Sequence, residues 1–158
     1  MAPKGLVLGL GNPILTDDGV GVHVVRAVAD RWSGDSVDFQ EASVGGLRLL
    51  EVIAGYERLL LVDAIQTPDG APGQIYRLAA DDPRASLHAG STHDLSFRGA
   101  LAWGRQLGLA LPPDDAITII AIEAEDVLTF GEALTPVVAA AVPRAIEAVL
   151  AELVGEVS

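Results

Sequence analysis

The chain of 158 residues has no cysteine at all. This excludes disulfides, thiolate metal ligands and a cysteine nucleophile, and it fits a cytoplasmic setting. Basic residues are scarce: 10 Lys and Arg stand against 22 Asp and Glu, for a formal net charge of −12. A nucleic-acid-binding surface needs clustered cations to replace counterions along the phosphates, and this chain has no such cluster. Long apolar runs are also missing. No uninterrupted stretch reaches the roughly 20 residues of a membrane helix, and Leu6 to Leu10 is too short for the apolar core of a signal peptide. Two protease signatures are absent as well, the Gly-x-Ser-x-Gly elbow and the His-Glu-x-x-His helix.

Half of the residues are apolar and 20% are charged, a composition suited to a packed core. The length matches a single domain over residues 1–158. Leu6 to Leu10 reads as a strand buried on both faces, and Thr16 as the cap of a helix from Asp17 to Arg31. Gly19 and Gly21 fall in that helix, where either close packing or an ordinary helix–sheet contact explains them. Asp38 to Ala42 is a second strand, followed by a helix carrying Leu47, Leu50 and Ile53. Arg58 to Asp63 is a third, an apolar run ending in a carboxylate.

This alternation predicts an α/β fold with three layers, α/β/α, around a mostly parallel five-stranded sheet. One strand is expected to be antiparallel: Gly73 to Leu78 follows Asp63 too soon for a helical crossover. Ala79 to Thr92 reads as a surface loop, Asp94 to Leu107 as a helix and Ala116 to Ile122 as the last strand. Thr135-Pro136 starts a final helix running to about Val154, with Pro143 as a candidate kink.

The run Gly9-Leu10-Gly11-Asn12-Pro13-Ile14-Leu15-Thr16-Asp17-Asp18-Gly19-Val20-Gly21 joins the first strand to the first helix. Sites in open α/β sheets form at such carboxyl ends. If the first and third strands are neighbours, Asp18 and Asp63 approach each other there, and His93 at the start of a later helix closes a triangle. Two carboxylates and an imidazole suit a divalent ion such as nickel or zinc, with open positions for other ligands. The bland alternatives are an Asp17–Asp18 pair that merely favours a helix dipole, an Asp63 that caps a loop and a structural His93. His23 reads as surface or packing, His88 as a solvent-facing loop residue, Ser91 or Thr92 as a helix cap, and Glu123 and Glu125 as a solvated strand end.

The run closely resembles the N-terminal motif of hydrogenase maturation endopeptidases. Gly45-Gly46, Val62-Asp63-Ala64, Ser91-Thr92-His93-Asp94-Leu95 and the Thr135-Pro136 helix start extend the similarity over nearly the whole chain. The resemblance implies an endopeptidase that removes the C-terminal peptide of a nickel-iron hydrogenase large-subunit precursor. It places Asp18, Asp63 and His93 at the catalytic and metal-binding positions, with nickel arriving in the substrate and other divalent ions able to substitute in vitro. Some relatives carry Glu where this chain has the shorter Asp18, and Asp17 falls at the position that is not a ligand. A noncatalytic nickel-binding chaperone or scaffold is the alternative. A dinucleotide-binding domain is a weaker rival: Ile14 replaces the third fingerprint glycine, and two aspartates oppose a pyrophosphate, although Glu41 stands about where a ribose-binding acid belongs.

Overall fold

The computed structural model describes residues 4–86 and 97–157. The apolar runs form the expected strands: β1 (Gly5–Leu10), β2 (Val37–Ala42), β3 (Arg58–Ile65), β4 (Ile75–Ala79) and β5 (Ile117–Glu123). They assemble in the order β2-β1-β3-β5-β4. All pairings are parallel except β4 with β5, which is antiparallel. The short 66–74 connection explains the exception, since a parallel return needs a crossover of a dozen residues or more.

Strand alternation sorts the core into two halves. Val7, Leu60, Val62, Ala64, Ile120 and Ile122 face α1 (Val20–Arg31) and α4 (Pro136–Val157). Leu6, Leu8, Leu59, Leu61, Ile65 and Ile119 face α2 (Gly46–Ile53) and α3 (Phe97–Gln106). The result is the three-layer α/β/α arrangement. Every residue of β1 is buried, because helices cover both faces. Among the described residues no helix is long and apolar enough to cross a membrane.

Three local expectations change. Thr16 does not cap α1: it takes a positive φ of 51° in a short 3-10 turn, Thr16–Gly19, and its hydroxyl donates to the Thr129 carbonyl at 2.5 Å. The cap position of α1 belongs to Gly19. Strand β3 runs two residues beyond Asp63, so that this carboxylate lies within the strand and not past its end. Helix α4 continues through Pro143. Pro143 and Ala139, whose carbonyl it cannot serve, both lie on the exposed side of the helix. Of the expected 79–92 loop, Pro83–Ser86 forms a 3-10 turn; residues 87–96, with the first residues of the expected 94–107 helix, lie outside the described residues.

Gly21 sets how closely the first helix approaches the sheet. A Cβ there would lie 2.2 Å from the Val62 carbonyl oxygen, well inside contact distance. A tight helix–sheet contact, between α1 and β3, is thus the reason for this glycine. Gly21→Ala is expected to cost roughly 2–3 kcal/mol through overpacking against backbone that cannot yield; urea denaturation measures it, and an unchanged midpoint would contradict the fit.

Candidate active site

Strands β1 and β3 run parallel as neighbours, pairing Gly9 with Val62, and both point their carboxyl ends at one edge of the sheet. Immediately beyond β1, the chain turns on Gly11, whose φ of 138° is a conformation that side chains rarely adopt. A Cβ on Gly11 would lie only 1.9 Å from the Asp18 carbonyl oxygen. Only glycine lets the turn fold back under Asp18. The turn is closed further by the Asn12 side chain, which accepts the Ile14 N–H at 3.1 Å.

The Asn12 backbone N–H donates to Asp18 Oδ2 at 2.8 Å, holding the Asp18 carboxylate over the end of β1. Asp18 is only 6% exposed. Asp63 is 3% exposed and occupies the position between Leu61 and Ile65, on the α2 and α3 side of the sheet. The 3-10 turn that carries Asp18 packs against β3. The structure therefore brings both carboxylates to the same sheet edge, each on a rigid element. His93 lies outside the described residues, as do His88, Ser91 and Thr92. Among the described residues no three His, Asp or Glu side chains form a metal-ligand cluster.

Asp17 turns the other way. It is fully buried, and its carboxylate accepts four hydrogen bonds: from the Glu125 N–H at 2.9 Å, the Asp126 N–H at 3.0 Å, and the Thr135 N–H and hydroxyl at 2.8 Å each. Its own N–H donates to the Asp126 carbonyl at 2.9 Å. Neither aspartate lies in the first turn of α1, so the dipole of that helix does not account for the pair. Asp17 instead meets the start of α4, where Thr135 precedes Pro136 and a negative charge is favoured.

Glu123 is not the solvated strand end that its position suggests; it is 2% exposed. Its carboxylate accepts the Thr67 N–H at 2.7 Å, the Thr67 hydroxyl at 2.6 Å and the Tyr76 hydroxyl at 2.8 Å. Burial chiefly raises the Tyr76 hydroxyl above its ordinary range, and as a neutral phenol it donates to Glu123. These bonds fasten the 66–74 connection to the end of β5. Glu125 is exposed, and its backbone rather than its side chain joins the Asp17 network. His23 is half-buried within α1. Glu41 pairs with Arg26 at 2.7 Å and borders a cavity of about 170 Å³ that Gly11, Pro13, Val22 and Ser43 also line. An acid already engaged by arginine is poorly placed to receive a ribose.

The family model described as hydrogenase maturation protease matches residues 22–152. The chain belongs to this family. It is therefore a peptidase, and its sequence carries no serine elbow. The hydrogenase 2 maturation protease of Escherichia coli (strain K12) is 33% identical over 94% of this chain and 89% of its own length. The hydrogenase expression/formation protein HupD of Rhizobium leguminosarum bv. viciae is 29% identical over 92% of this chain and 72% of its own. Among solved structures, the hydrogenase maturating endopeptidase HybD from E. coli superposes with a TM-score of 0.79 at 32% identity, covering 97% of this chain and 93% of that one.

Sequence reasoning missed the Asp17 and Glu123 networks, because the donors come from distant segments. The one available signal was Thr135-Pro136, a helix start whose exposed N–H group needs an acceptor. Asp17→Asn is expected to lower stability by about 3 kcal/mol, since an amide faces four donors with one acceptor oxygen and adds donors of its own. Chemical denaturation measures the loss, and an unchanged stability would remove Asp17 from its structural role.

Asp126 offers a pH test of the neighbouring loop. The Thr129 side chain and the N–H groups of Leu128 and Thr129 hold its carboxyl below the ordinary 3.8. A folded-state value that is depressed gives stability above the unfolded value, lost as pH falls through the folded one. The Leu128 and Thr129 amide proton shifts should thus titrate with a midpoint below 3.8, and the step should vanish in Asp126→Ala. A midpoint at or above that value would mean that the loop is not held by this carboxylate.

Proposed function

We propose that this peptidase removes the C-terminal peptide from the precursor of a nickel-iron hydrogenase large subunit, and that nickel already inserted in that substrate is what it recognises. The observation that carries the reading is the burial of Asp18 and Asp63 at the carboxyl ends of two adjacent parallel strands, in a member of the hydrogenase maturation protease family. We assign the third ligand position to His93.

The residue types fit the cargo. Nickel(II) accepts imidazole nitrogen together with carboxylate oxygen, and three protein groups leave coordination positions for ligands brought by the precursor. Asp18 is oriented before substrate arrives, because the Asn12 N–H fixes one of its oxygens. Asp63 is oriented by the strand itself, anchored between Leu61 and Ile65 in the core. A rigid pair of carboxylates suits a checkpoint: it grips a substrate whose metal is in place and finds little purchase on one without it. The grip positions the scissile peptide against the edge of the sheet, where the bound ion polarises its carbonyl or activates a water.

The test uses purified precursor with and without nickel, its mass being read before and after incubation. Asp18→Asn, Asp63→Asn and His93→Ala should each slow the loss of the C-terminal peptide by about 100-fold or more, as for groups acting together on the reacting centre. Their thermal midpoints report whether the fold survives. Wild-type processing by Asp63→Asn or His93→Ala would defeat the ligand assignment, and equal cutting of the nickel-free precursor would defeat nickel as the recognition element.

A further inference from the structure

Beside the Asp18 turn the fold presents an apolar tip that is exposed among the described residues. Leu128 is 83% exposed and Phe130 80%, while Ile14 on the adjoining segment is 46% exposed. Single exposed apolar residues are ordinary, but this group is also held rigidly. Asp126 Oδ1 accepts the N–H groups of Leu128 and Thr129 at 2.9 and 3.0 Å. The Thr16 hydroxyl and N–H donate to the carbonyls of Thr129 and Gly131, and the Gly131 N–H donates to the Ile14 carbonyl at 2.9 Å. A bridge between Leu15 and Gly131 completes the join. The tip is thus ordered in advance, which lowers the entropy cost of docking.

Charge says what fits there. No Lys or Arg occurs between Lys4 and Arg26, nor between Arg105 and Arg144, so both segments of the tip lack a cation. Glu125 and Glu132 are exposed and Asp126 is half-exposed on the same segment. A complementary surface is an apolar socket bordered by Lys or Arg. A second copy of this chain, at −12, is poorly suited to supply that border.

We infer that Leu128, Phe130 and Ile14, on a segment that also carries the acids Glu125, Asp126 and Glu132, form a docking surface for the folded body of the protein substrate, at an apolar socket with a basic rim. This rests on the function proposed above, and it adds a contact remote from the peptide that is cut. The contact separates binding from chemistry: the tip holds the precursor while Asp18, two residues from the tethered Thr16, faces the reacting end.

The test compares wild type with the double variant Leu128→Ser/Phe130→Ser on purified, nickel-loaded large-subunit precursor from the same organism. Truncating exposed anchors of an interface should raise KM about tenfold or more and leave kcat within about twofold. The thermal midpoint should not move, since both side chains lie mostly in solvent. Glu132→Lys should also raise KM, and the wild-type KM should rise with added salt. An unchanged KM in the double variant overturns the inference. So does a wild-type dimer that the double variant converts to monomer with KM unaffected, because a second copy would then own the surface. If wild type leaves the precursor uncut, the proposed function fails. Direct titration of the precursor then decides the docking separately: weaker binding by the double variant supports it, and equal or absent binding overturns it.

Discussion

The arrangement of the candidate site depends on one buried carboxylate whose two oxygens are taken up by four hydrogen bonds. Asp17 gathers the N–H groups of Glu125, Asp126 and Thr135 and the Thr135 hydroxyl. A buried carboxylate is costly unless its lone pairs are met, and here they are met without a cation. The bonds tie the turn after β1 to the segment after β5 and to the first residue before α4. Because Asp17 and Asp18 are adjacent, anchoring one fixes the backbone that aims the other. Asp18 is delivered to the sheet edge by its neighbour's structural bonds.

This division of labour explains a doublet that looks redundant in the sequence. Two aspartates side by side suggest a shared role, whether at a helix dipole or around an ion. In three dimensions their carboxylates part: Asp17 reaches across to β5 and α4, whereas Asp18 folds back over Gly11 and Asn12. The 3-10 turn, with Thr16 at positive φ, makes the divergence. An α-helix starting at Asp17 would have separated the two side chains by about 100° around one axis, leaving both on a single helix end.

Much of the fold was legible because the signals were local. Apolar runs such as Leu59 to Val62 mark strands buried on both faces, and the short step from β3 to β4 dictates the antiparallel edge. That Asp18 and Asp63 fall at one edge of the sheet was legible because parallel neighbouring strands direct their carboxyl ends the same way. Less legible were features that depend on side chains meeting across the chain. Thr16 has the right type for a helix cap, but the Thr129 and Gly131 carbonyls compete for its hydroxyl and N–H and win. Glu123 has the right position for a solvated end, yet Thr67 and Tyr76 close over it. The glycine at 21 was legible as permissive, while its reason, the approach of the Val62 carbonyl, is tertiary.

Asp17 and Glu123 solve the same problem on two sides of the site. Loops at the end of a sheet bury little apolar surface, here Val127 and Leu134 in the segment after β5, so polar groups supply much of their order. Glu123 fastens the connection that follows β3, and Asp17 fastens the segment that follows β5. Asp63 stands between them in the sheet, since β3 pairs with β5. The two networks together frame its end of the sheet through carboxylate oxygens receiving N–H and O–H bonds. Side chains held in this frame are settled before any substrate arrives, so that little binding energy has to go into ordering them.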